Sequence, residues 1–212
     1  MIPLFKVFVN RGINDSLLMT IHSGWLGEGK KAKVFEEKLG KRVSNPYCLA
    51  LSAGTHGLHL ALVLAGVGEG DEVITTPLTC TATNWPILYQ KARIVWADIK
   101  VDDLNIDPSD VERKITEKTK AIMCVHWGGY PCDMNELSNI VINYKLPLIE
   151  DAAHAFGATY HNVPVGNCTF ADYTMFSFQA IKHLTCGDGG ALFVKTEEDY
   201  KRAKLLRWYG ID

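Results

Sequence analysis

The sequence predicts an α/β domain built on a mainly parallel, doubly wound sheet. Two observations predict it. Seven short apolar runs are spaced along the chain, and stretches with helical periodicity or helix-start residues lie between several of them. The runs also read as strands buried on both faces, the mark of a parallel sheet covered by helices on both sides.

Taken in order, the first run is "YCLALS" (47–52). It breaks into "SAGTHG", a Gly-Thr turn that opens a helix whose Leu58, Ala61, Leu62 and Ala65 follow i, i+3, i+4, i+7 spacing. "EVITT" (72–76) and "RIVWAD" (93–98) follow, and "DPSDVERKI" then begins a helix with turn and capping residues. "KAIMCVH" (120–126) comes next, and "DMNELSNIVI" starts another helix in the same way. "LPLIE" (146–150), "YTMFSF" (173–178) and "GALFV" (190–194) complete the set. No repeat, low-complexity tract or Pro/Ser-rich linker divides the chain.

Composition narrows the function. The 212 residues carry 22 Lys and Arg against 24 Asp and Glu, a net charge of −2. That balance offers no basic patch to nucleic acid. No apolar run approaches the length of a membrane span. The opening "MIPLFKVFVNRGIND" lacks a signal-peptide layout, so a cytoplasmic protein is expected. The six cysteines (Cys48, Cys80, Cys124, Cys132, Cys168, Cys186) form no C-x-x-C pair and read as reduced, mostly buried thiols with no metal. "NCT" at Asn167 matches a glycosylation acceptor by chance in such a setting. "GVGEGD" (66–71) follows a helix instead of a strand and is discounted as a dinucleotide loop. His56 and His59 have no third ligand nearby and read as structural. Trp96, Trp127, Phe176 and Phe178 read as core.

In doubly wound sheets ligands bind outside the carboxyl ends of the strands. Three such ends collect polar residues here. Gly54 and Thr55 open a helix whose free N–H groups suit an anion. Asp151 ends an apolar run, and a buried carboxylate there needs a cationic or donor partner, whether a ring N–H⁺ or an arginine. Ser177 ends another run, and Lys182 follows in "FSFQAIKHLTCGDGG" with no acidic residue four positions either side. An anion cradle, a carboxylate and a lysine together meet the needs of pyridoxal 5'-phosphate: phosphate, pyridine nitrogen and aldehyde.

The ordered set "IPLFK", "SGWLGEGKKAKVFEEKL", "SAGTHGLHLAL", "VITTPLTCTATNWPIL", "KTKAIMCVHWGGYPCDMNEL", "LIEDAAHAFGA" and "FSFQAIKHLTCGDGGAL" resembles the DegT/DnrJ/EryC1/StrS family of sugar-nucleotide aminotransferases, nearly end to end. The resemblance implies the large domain of a fold-type I pyridoxal-phosphate enzyme, with a mainly parallel seven-stranded sheet. It implies that Lys182 is the Schiff-base lysine, the catalytic residue, and Asp151 the partner of the pyridine nitrogen. His154 would lie beside the cofactor's phenolic oxygen, and Ser177, Gly54 and Thr55 would bind phosphate. Cys80 falls where an aromatic ring usually covers the cofactor, so stacking would weaken or pass to Trp85 or His126. Ala53 replaces a usual serine of the phosphate turn. Trp25 would border the substrate, and His126 is also expected to contact it.

By the same resemblance, residues 1–25 border the active site, 26–205 bind cofactor, and 206–212 begin a C-terminal domain that family members continue. The implied reaction transfers an amino group, with glutamate as donor, to a nucleotide-linked keto-deoxy sugar for amino-sugar or polysaccharide synthesis, in a homodimer. The alternatives are an incomplete fragment acting as a non-catalytic interaction module, and the family's dehydratase branch. That branch typically has histidine at the lysine position, so Lys182 argues against it.

Overall fold

A computed structural model describes residues 6–211. Most of "IPLFK" therefore lies outside the described residues. Helix α1 (Asn14–His22) and helix α2 (Lys30–Val43) precede strand β1 (Cys48–Leu51) and helix α3 (Gly54–Leu64). Then come β2 (Glu72–Thr75), α4 (Thr81–Tyr89), β3 (Arg93–Trp96), α5 (Pro108–Arg113), β4 (Thr119–Val125), α6 (Met134–Tyr144) and β5 (Leu148–Asp151). A small hairpin, β6 (Thr159–Tyr160) and β7 (Val163–Pro164), precedes β8 (Tyr173–Ser177), β9 (Gly190–Val194) and α7 (Glu197–Arg207). The capping residues expected for α5 and α6 do cap: Asp107 accepts from Ser109 N, and Asp133 from Glu136 N.

All seven expected strands join one sheet in the order β1-β9-β8-β5-β4-β2-β3. Strands β3, β2, β4, β5 and β8 pair in parallel, and β9 runs antiparallel to both β8 and β1. The sheet is thus mainly parallel. β8 returns directly into β9 through the loop that carries Lys182, a connection that requires no crossover helix.

Alternate residues of each strand feed two different cores. Met123, Ile149 and Met175 pack with Leu58, Ala61 and Leu62 of α3 and with Ile87 of α4. On the other face Ile122, Cys124 and Leu148 pack with Leu137, Ile140 and Val141 of α6, while Phe176, Ala191 and Phe193 meet Leu39 and Val43 of α2. Burying each such large side chain stabilises the fold by about 1.5–3 kcal/mol. The aromatic stripe splits. Phe176 and Phe178 are core, but Trp96 ends the edge strand β3 and is 43% exposed, and Trp127 is half-buried. An edge strand has no outer neighbour to cover it, which accounts for Trp96.

The other edge, β1, is covered by side chains. Ala50 N donates to Glu36 Oε1 at 2.8 Å, and Arg207 Nη1 donates to Ala50 O at 3.2 Å and to the same Glu36 oxygen at 2.6 Å. These bonds satisfy backbone groups that an open edge would offer to another strand. Asn167 donates to Val43 O and Ser44 O, each at 3.0 Å, so its amide holds the end of α2.

Candidate active site

The carboxyl ends of β1, β2, β5 and β8 lie along one edge of the sheet, and the expected site residues gather there. Helix α3 starts directly after β1. Its N-cap, Ala53, is extended (φ −158°, ψ 156°) and provides no side-chain cap. The first N–H groups of α3 have no intrahelical partners and are left to an outside acceptor. Gly54 is buried against β8: a Cβ there would lie 2.7 Å from Met175 Sδ and 3.0 Å from Ser177 Cβ. From the other side, a Cβ on Gly190 would lie 2.6 Å from both Ala53 C and Gly54 N. Two glycines therefore let the start of α3 close onto β8 and β9, bringing Gly54 and Thr55 beside Ser177.

Asp151 ends β5, level with Val125 of β4 and Met175 of β8, and is 5% exposed. Its Oδ2 accepts from Thr83 Oγ1 at 2.6 Å, and its Oδ1 from Ala153 N at 3.1 Å. Thr83 is itself 2.6 Å from Thr79 Oγ1. Among the described residues no arginine pairs with this carboxylate; hydroxyl and amide donors hold it. Thr79 and Thr83 are site residues that sequence reading missed. Their i, i+4 spacing across the start of α4, in "TCTAT", was the available signal.

Lys182 lies in a loop pinned at its base. Phe178 N donates to Gly189 O at 2.8 Å, Cys186 N to Phe178 O at 3.1 Å, and Thr185 Oγ1 to Phe178 O at 3.0 Å. Within it Lys182 N donates to Gln179 O at 2.9 Å, and Ile181 N to Gln179 Oε1 at 2.9 Å. Burial lowers the Lys182 pKa below that of an ordinary lysine, against the charges of Asp151 and Cys80, which favour the ammonium. The His154 imidazole is also held below its usual value, first by burial and then by Lys182, while Asp151 pulls the other way. Lys182, Asp151, Cys80 and His154 thus share one electrostatic environment. His183 points elsewhere, its Nε2 bonded to Phe156 O at 2.9 Å.

Three other expected residues have partners of their own. His126 is 1% exposed, with Nδ1 accepting from Cys132 N at 3.2 Å and Nε2 lying 3.4 Å from Glu150 Oε1. Its ring has almost no exposed surface and is turned inward, toward Cys132 and Glu150. Trp85 is 51% exposed and stacks on Tyr89 instead. Trp25 is 67% exposed, its Nε1 donating to Glu28 O at 2.7 Å. Next to the start of α3 an open cleft of about 750 Å³ is lined by Leu26, Ser52, His56, Leu60, Arg207 and Trp208, among others. His56 faces Ser52 Oγ at 2.8 Å and His59 faces Gln90 at 2.6 Å, so both serve local structure.

Residues 10–212 match the model of the DegT/DnrJ/EryC1/StrS aminotransferase family. The spore coat polysaccharide biosynthesis protein SpsC of Bacillus subtilis is 41% identical over 91% of this chain and 49% of its own length. The crystal structure of the sugar aminotransferase CalS13 from Micromonospora echinospora is 41% identical and superposes with a TM-score of 0.94, over all of this chain and 59% of that one. Spr1654 from Streptococcus pneumoniae, in its PLP form, is 33% identical with a TM-score of 0.91, over 97% of this chain and 57% of its own. The chain spans about half the length of the curated relatives it matches.

Proposed function

The chain belongs to the DegT/DnrJ/EryC1/StrS aminotransferase family, and from that premise we propose that it serves a pyridoxal-phosphate-dependent transfer of an amino group from glutamate to a nucleotide-linked keto-deoxy sugar. The observation that carries this reading is the pairing of a buried Asp151, held by Thr83, with a Lys182 amine whose pKa burial lowers, beside the uncapped start of α3.

The residues fit the cofactor. Gly54, closed on Met175 and Ser177, leaves the first amides of α3 and the hydroxyls of Thr55 and Ser177 for a phosphate. Asp151, already oriented by two donors, holds a proton on a ring nitrogen by its negative charge. When bound, pyridoxal phosphate supplies the electron sink through which an amino group passes between an amine and a carbonyl carbon. Lys182 Nζ, more readily uncharged than an ordinary lysine, would hold the aldehyde end and move the proton at the reacting carbon. His154, which feels the charges of Lys182 and Asp151, would offer a ring N–H to the phenolic oxygen. Cys80 borders the site with a thiol in place of an aromatic face. Trp25, well exposed, would border the sugar nucleotide.

The chain acts as a homodimer in this reading. Support comes from the apolar side chains exposed around the cleft: Leu26 (72%), Leu206 (47%) and Trp208 (47%).

The test is spectroscopic. Purified chain mixed with pyridoxal phosphate should develop a protein-dependent visible band, and L-glutamate should bleach it while releasing 2-oxoglutarate. A band that ignores glutamate contradicts the donor. No band at all contradicts the cofactor reading.

A further inference from the structure

On the sheet face opposite Asp151, three soft donors converge in the core. Cys124 of β4, His126 just beyond it and Cys132 after the following loop each offer a ligand atom, all within 4.8 Å of one another. They are 0%, 1% and 0% exposed. Buried thiols alone are ordinary core residues. Here they meet an imidazole whose orientation is fixed. Its Nδ1 lies 3.2 Å from Cys132 N, and its Nε2 lies 3.4 Å from Glu150 Oε1, with no aligned hydrogen-bond partner. Glu150 is held in turn by the Thr174 hydroxyl.

We propose that Cys124, Cys132 and His126 form a site for a thiophilic divalent d10 cation of the zinc class. The two thiolates and His126 Nδ1 would be the ligands, Nδ1 giving up the hydrogen bond it accepts from Cys132 N, and Nε2–H would point at the Glu150 carboxylate. A carboxylate behind a metal-bound histidine is the usual device for fixing its tautomer and orientation. Binding releases two thiol protons to solvent and replaces them with one divalent charge, so the core gains no net charge. Val125 O, 3.1 Å from Cys132 Sγ, loses the hydrogen bond that the thiol donates to it. Zinc–sulfur bonds of about 2.3 Å place tetrahedral sulfurs about 3.8 Å apart, so the donors draw together by about 1 Å at most. The spacing C-x-H-x₅-C in "CVHWGGYPC" is the sequence trace of this site.

Full burial means that metal enters during folding, so the chain should be refolded with one equivalent of Co²⁺ as probe. The expected result is thiolate-to-cobalt charge-transfer absorbance at about one metal per chain, displaced by Zn²⁺. Cys124→Ser and Cys132→Ser should each abolish it, while Cys168→Ser, a buried thiol outside the set, keeps it. No charge-transfer band in the refolded wild type overturns the proposal. So does a band that survives both serine variants, or a Cys124–Cys132 disulfide in a non-reducing peptide map. Because the Cys124 and Cys132 thiols lie on the sheet face opposite the Asp151 side chain, pyridoxal phosphate binding reads out separately.

Discussion

At the scale of single residues, burial and the nearby Asp151 set the behaviour of Lys182. Burial disfavours the Lys182 ammonium, and Asp151 partly offsets that. Between the lowered pKa and the ordinary 10.5, the unfolded chain binds more protons at this site than the folded one. Its contribution to stability is therefore complete above 10.5 and is lost as pH falls through the lowered value. The pH midpoint for labelling of Lys182 by an amine-reactive probe should lie below that of the surface lysines, and Asp151→Asn should move it lower still. A midpoint that rises in the variant would contradict the pairing. Thr83→Val removes a charge-assisted hydrogen bond to a buried carboxylate, a loss of about 1.5–3 kcal/mol. Equilibrium unfolding in urea should register it, with Thr83→Ser close to wild type. Lys182, Asp151 and Ser177 were legible in the sequence because each follows a strand signal. Thr79 and Thr83 were not, since hydroxyls at a helix start read equally well as ordinary caps. The inward turn of the His126 ring was not legible, because nothing in "CVHWGG" tells whether the ring turns out or in.

At the scale of elements, the meeting of α3 with β8 and β9 makes the anion cradle, and two glycines control it. A methyl on Gly54 meets the flexible end of Met175 as well as Ser177, whereas one on Gly190 meets only the backbone of Ala53 and Gly54 among its nearest atoms. Overpacking of this kind costs about 1–3 kcal/mol, and backbone cannot swing aside as a thioether can. Gly190→Ala should therefore lower the urea midpoint more than Gly54→Ala, and both should weaken pyridoxal phosphate binding. Equal stability of the two variants would show that the contact is soft. The seven strands were readable as apolar runs. The antiparallel course of β9 was not, because an apolar run carries no direction. The β6–β7 hairpin escaped because strands of two residues have no period to detect.

At the scale of the whole molecule, the sheet presents its strand ends, the start of α3 and the Lys182 loop along one edge, as a doubly wound sheet should. The apolar fringe at Trp208, Tyr209 (85% exposed) and Ile211 (61% exposed) adds to the cleft beside it. Sedimentation velocity should therefore show a concentration-dependent dimer, and a monomer at every concentration would contradict the homodimer reading. Sugar and nucleotide identity were not legible, since the residues that bind cofactor do not encode the substrate. The most direct test of the whole account is borohydride reduction of the chain in pyridoxal phosphate, followed by peptide mapping. The account predicts one stable adduct, on Lys182, lost in Lys182→Ala while the far-ultraviolet circular dichroism is unchanged. An adduct on another lysine, or one that persists in Lys182→Ala, would contradict it.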